Sequence, residues 1–194
     1  MNLHYPPGAT PLDPDALAGL IPSITTQGEL NDFEEANILR AVRWARSSQL
    51  LRRDYPNVSV LARLHRMMFN LTWKWAGQFR RTDTNIGVPW PFIQGELLKL
   101  CEDTGYWVDH GTYAWVELGA RFHHRLVSIH PFPNGNGRHA RLATDILLRH
   151  NGQRLFTWGS GSLIVPGDVR QRYIKALRSA DEGDLASLMT FVES

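Results

Sequence analysis

The stretch His130-Pro131-Phe132-Pro133-Asn134-Gly135-Asn136-Gly137-Arg138-His139-Ala140-Arg141 sits between two segments of helical periodicity, Trp115–Ile129 and Arg138–His150. Two prolines end the first helix, and Gly135 and Gly137 give a tight loop before the second. Glycines on both sides of Asn136 let the backbone approach a ligand closely, with N–H groups converging on the start of the following helix. Unpaired N–H groups and the positive end of a helix dipole coincide at such a junction, which makes it an anion site. Arg138 and Arg141 lie one turn apart and can reach the same pocket. His130, at the far side of the loop, can accept a proton at neutral pH. A polyphosphate cradle with a base beside it suits phosphoryl or nucleotidyl transfer.

Working outward, the chain reads as mainly helical. Apolar residues Phe33, Ala36, Ile38, Leu39, Val42 and Ala45 recur near helical spacing between Glu29 and Leu51, with Thr25 or Thr26 as N-cap. Further helices are predicted at Ser59–Phe69, Glu96–Asp109, Asp168–Ala180 and Asp184–Val192. Residues 1–28 read as an irregular arm, interrupted by Pro6, Pro7, Pro14 and Pro22, and 29–194 as one domain. Gly77–Ile93, with Gly87, Pro89 and Pro91 among β-prone residues, reads as a short β-hairpin.

A length of 194 residues with 43% hydrophobic content and a net charge of +2 describes an ordinary globular domain. The lone Cys101 and the absence of a leader-like opening point to a cytoplasmic location, and no apolar run suits a membrane span. Lysine occurs only at 74, 99 and 175 among 21 basic residues, so the rest are Arg, the side chain that grips phosphate bidentately. Direct nucleic-acid binding would rest on Arg40, Arg43, Arg46, Arg52 and Arg53. Glu34, Glu35 and Asp54 balance them, which suggests a solvated helix face. A zinc site from His123, His124, His130 and His139 lacks a ligand spacing to support it.

The 130–141 stretch resembles the signature of the Fic family, His-x-Phe-x-Asp/Glu-Gly-Asn-Gly-Arg-x-x-Arg, and departs from it at Asn134. Trp75–Arg80 and the helix before the loop are similar to the family as well. Thr10–Asp15 and Thr25–Asn31 resemble the bacterial subgroup called mobile mystery protein B. The resemblance implies a Fic-type helical bundle with a small β-hairpin flap, and transfer of AMP from ATP to a Ser, Thr or Tyr hydroxyl of a target protein. His130 would be the general base. Gly135, Asn136 and Gly137 would form the anion hole, Arg138 would grip the β-phosphate side, and Arg141 the γ-phosphate. Asn134 stands where an acidic residue usually holds Mg²⁺, so weaker metal affinity is expected. Transfer of UMP, GMP or phosphate, or nucleotide binding with little catalysis, is the alternative.

The family also commonly carries an inhibitory glutamate that pairs with the second signature arginine. Glu29 is the candidate, for pairing with Arg141 or for simple helix capping. The flap of Thr82, Asp83, Thr84, Asn85, Ile86, Gly87 and Val88 would dock the target by strand addition. The subgroup resemblance implies a companion DNA-binding protein, and a homo-oligomer is left open.

Overall fold

The computed structural model describes residues 11, 14–161, 163 and 167–194. Residues 1–10, 12 and 13 of the arm lie outside them, and with them half of the Thr10–Asp15 pattern. The described chain is built from helices α1 (Pro14–Leu17), α2 (Gln27–Ser47), α3 (Gln49–Asp54), α4 (Val58–Phe69), α5 (Ile93–His110), α6 (Trp115–Ile129), α7 (Asn136–His150), α8 (Asp168–Asp181) and α9 (Ala186–Val192). It forms a helical bundle.

Helix α2 starts with a reciprocal cap. The Thr26 hydroxyl accepts from the Glu29 N–H, and the Glu29 carboxylate accepts from the Thr26 N–H at 3.0 Å. It stops at Ser48, whose extended backbone breaks the single helix expected through Leu51 and whose hydroxyl caps α3. The face that α2 buries is not the apolar one read from its sequence. Leu30, Glu34, Asn37, Ala41 and Ala45 are buried, while Phe33 and Leu39 are 48% and 51% exposed. Both polar residues on that stripe have partners, which removes the desolvation penalty that would have turned them outward. Asn37 donates to the Met67 carbonyl at 3.0 Å and accepts from the Leu71 N–H at 2.8 Å, so it holds the end of α4.

The main core lies between α2, α4, α5, α6 and α7, filled by Leu61, Leu64, Met68, Phe69, Leu97, Phe122 and Ile129. A smaller cluster joins α8 and α9 to Ala120 of α6 through Tyr173, Leu188 and Phe191. Helix α6 therefore touches both, and its C-terminus emerges where they meet the loop. The described part of the arm is tied down by backbone: the Ile21 N–H donates to the Thr72 carbonyl and the Lys74 N–H to Gly19.

No strand forms among the described residues of 77–93: the backbone is irregular to Pro89 and then makes one 3-10 turn, Trp90–Phe92, into α5, so the expected hairpin is absent. The physical reason is that its carbonyls face inward instead of across. Those of Thr82 and Val88 both accept from the Arg80 guanidinium, and the Asp83 side chain accepts from the Trp90 N–H. No helix of the described residues is long and apolar enough to cross a membrane.

Candidate functional site

His130 closes α6 in the left-handed region, φ 53 and ψ 59, with its N–H bonded to the Leu126 carbonyl, and Pro131 after it cannot continue the helix. Its side chain lies inside, 6% exposed. Burial first, and then the Arg80 charge, push its pKa down to about 4, against the opposing pull of a bond to the Val127 carbonyl. The imidazole is therefore neutral at pH 7 and keeps an acceptor nitrogen.

The loop that follows is bonded to itself. The Asn136 side chain accepts from the Phe132 N–H at 2.9 Å and donates to the Phe132 carbonyl at 2.8 Å. Asn136 thus clamps the loop with its side chain. Phe132 is fully buried and anchors the turn. Gly135 takes φ 79 at the N-cap of α7, and no side chain caps the helix there. The first-turn N–H groups are orphans of the kind that bind anions.

Arg138 reaches across to α2. Its Nη1 donates to Glu34 Oε2 at 2.6 Å, and its guanidinium lies 5.0 Å from the Phe69 ring. The other Glu34 oxygen accepts from Trp73 Nε1 at 2.7 Å. Arg141 lies over the Tyr173 ring at 5.7 Å. Its charge and that of Arg138 sense each other, which joins burial in lowering the Arg141 pKa. The Asn134 side-chain oxygen accepts from the Gly135 N–H at 2.6 Å and lies 3.4 Å from Arg138.

Two expectations need correction. Glu29 does not meet Arg141: its carboxylate accepts from the Thr25 N–H, Thr25 hydroxyl and Thr26 N–H at 2.8–3.0 Å, so it is the capping glutamate. These bonds lower its pKa, the Thr25 N–H foremost. The carboxylate that enters the cradle is Glu34, read from sequence as part of a solvated face and here 5% exposed. The four candidate zinc histidines are also dispersed. His123 bonds Tyr173, His124 bonds Asp181 and His139 bonds the Leu61 carbonyl. No group of three His, Cys, Asp or Glu among the described residues could hold a metal ion.

The segment 82–88 borders the same site. Arg80, 4% exposed, donates through Nε to the His130 carbonyl at 2.7 Å and through Nη2 to the Ile129 carbonyl at 3.5 Å, besides its bonds to Thr82 and Val88. The Val88 N–H donates to Ile129 as well. A Cβ on Gly87 would stand 2.7 Å from the His130 Cβ, so the segment lies directly against His130. Sequence reasoning passed over Glu34 and the role of Arg80. The buried stripe Leu30, Glu34, Asn37, Ala41, Ala45 keeps helical spacing and could have exposed Glu34.

The helical bundle thus carries a neutral imidazole, an uncapped helix N-terminus and two arginines on one loop-to-helix junction. Residues 55–148 match the model of the Fic/DOC family. The match spans nearly half of the chain. It is 33% identical over 119 residues to the protein adenylyltransferase Fic of Drosophila grimshawi, and equally to that of Drosophila melanogaster. Each match takes in 60% of this chain but spans only 23% of the fly protein. In fold it is similar to residues 134–508 of Caenorhabditis elegans Fic-1, with a TM-score of 0.70, 24% identity, and coverage of 91% of this chain and 51% of that one. It is also similar to an N-terminal Fic domain from Bartonella quintana with bound ADP, with a TM-score of 0.68, 20% identity, and coverage of 88% and 86%.

Proposed function

We propose that this domain transfers AMP from ATP to a hydroxyl of a target protein. The observation that carries the proposal is the buried, neutral His130 held next to the uncapped N-terminus of α7. The hydroxyl oxygen attacks the α-phosphorus, the bond to the α–β bridging oxygen breaks, and pyrophosphate leaves. The hydroxyl proton passes to His130. The backbone N–H groups of Asn136 and Gly137, with Arg138 and Arg141, hold the phosphates, so positioning and electrostatics supply most of the catalysis. Irregular backbone at 82–88, where Ile86 is 43% exposed, receives the target segment.

The side chains fit Mg²⁺ poorly. Asn134 offers one uncharged oxygen, already bonded to the Gly135 N–H and facing a guanidinium, whereas Mg²⁺ favours carboxylates and phosphates. No step is assigned to the metal. Glu34 supports a second reading, nucleotide binding with little turnover, because it occupies Arg138 and must yield before phosphate can take its place. Glu34, through its pair with Arg138, is the carboxylate placed to inhibit.

Incubation of native protein and Glu34→Gln with α-labelled and with γ-labelled ATP in a cell lysate separates these outcomes. Label on protein from the α position alone means AMP transfer. Label from the γ position means phosphate transfer, and binding without label means the second reading. His130→Ala should lower transfer by about 10²–10⁴-fold with ATP affinity retained; lost affinity would give His130 a binding role instead.

A further inference from the structure

His65 of α4 is fully buried and lies outside the signature, yet both of its ring nitrogens are used. Nδ1 lies 3.0 Å from the Gly77 nitrogen and Nε2 3.0 Å from the Asn134 carbonyl oxygen. A backbone N–H can only donate and a carbonyl can only accept, so these two partners fix the tautomer: Nδ1 bare, Nε2 protonated. The ring stacks on Phe132 with centroids 3.7 Å apart. A Cβ on Gly135 would meet Phe69 at 2.6 Å and His65 Nε2 at 3.4 Å, so the loop lies flat against these two rings.

A peptide unit is planar, with its C=O and N–H on opposite sides. Fixing the Asn134 oxygen against His65 therefore turns the Gly135 N–H away from the core. There it meets Asn134 Oδ1, with Arg138 Nη2 3.4 Å from the same oxygen. That is the side on which the first turn of α7 opens. Rotating this peptide would aim a carbonyl at the place where phosphate is to bind.

We propose that His65 is a positioning residue: its Nε2–H holds the Asn134–Gly135 peptide in the orientation that keeps the phosphate cradle a set of donors. Burial holds the imidazole pKa well below its usual value, and the neighbouring His139 and Arg138 act in the same direction, so the tautomer survives mild acid. The inference rests on the nucleotide-binding proposal above for its functional consequence, but not for its geometry.

Two substitutions divide the roles of the two nitrogens. In His65→Gln the amide nitrogen replaces Nε2 and can still donate to Asn134. In His65→Asn the side-chain oxygen replaces Nδ1 and can still accept from Gly77. Both lose the ring and its stack on Phe132, so a merely structural role predicts similar losses of stability and similar ATP affinity in the two variants. The expected result by calorimetry is an ATP Kd within about threefold of native for Gln and weaker by roughly tenfold or more for Asn. Amide spectra should show Gly135, Asn136 and Gly137 displaced in Asn alone. Equal weakening in both variants, or none in either, overturns the proposal. If native protein binds no ATP, the nucleotide proposal fails and the amide displacements alone decide the role of His65, by the same asymmetry. Nitrogen-15 shifts of the native ring test it without any variant, since a protonated Nδ1 is incompatible with the Gly77 bond and would sink the idea.

Discussion

Two glycine-bearing segments face each other at His130, and they are held in opposite ways. The loop from Pro131 to Gly135 is closed mainly by near neighbours, with Asn136 bonding both polar groups of the Phe132 backbone and Asn134 bonding the Gly135 N–H. The segment 82–88 depends on one guanidinium, and Arg80 spends its other bonds on the His130 and Ile129 carbonyls, about fifty residues away in sequence. The first is a turn that its own sequence can specify. The second has a shape only because α6 ends beside it.

Acid should break this pairing most strongly, and from the loop side. Burial depresses His65 well below its usual value, His130 and His139 to about 4, and His123 to about 3, each from 6.5. Between these values and 6.5 the unfolded chain binds more protons, so stability falls as pH drops below about 6.5, by up to about 1.4 kcal/mol per unit for each imidazole. Asp145, raised by burial from 3.8 to about 6, works in the opposite direction, but it is one group against four. Tryptophan fluorescence followed from pH 7 to 4 should show cooperative unfolding, and an unchanged melting temperature across that range would refute it.

Removing the loop's anchor comes next. Phe132→Ala leaves a cavity under the turn and should cost about 3–5 kcal/mol in urea unfolding; a cost below about 1 kcal/mol would mean that the turn holds without it. Arg80→Ala strips donors from inward-facing carbonyls and should cost about 2–3 kcal/mol. Its sharper readout is hydrogen exchange: the Val88 amide should speed up while the Phe132 amide stays protected. Equal acceleration at both would show that the two segments are one cooperative unit. Glu29→Ala has the smallest expected effect, a slight fraying of the first turn of α2 through loss of the reciprocal cap, with labelling from ATP unchanged. Increased labelling would return Glu29 to an inhibitory role.

The loop was legible because its pattern of Pro, Gly and Asn is local chemistry that any fold must respect. Helices α4 to α9 were legible for a similar reason, since their periodicity and stops lie within each segment. Helix α2 misled because its most apolar residues, Phe33 and Leu39, lie near solvent while Glu34 and Asn37 lie inside. Their partners Trp73, Arg138, Met67 and Leu71 come from elsewhere in the chain, and without those partners a buried glutamate reads as an error. The hairpin was misjudged on the same ground, because β-prone composition cannot show that its carbonyls are taken by Arg80.

The sequence by itself determined the helical architecture and the loop-to-helix junction that carries His130, Arg138 and Arg141, because turn chemistry and helix termini are properties of short segments. Only the tertiary structure decided which carboxylate faces Arg138, how His130 is kept neutral, and what orients the Asn134–Gly135 peptide. Each depends on desolvation and on hydrogen-bond partners supplied by distant segments, which exist only after the bundle has closed.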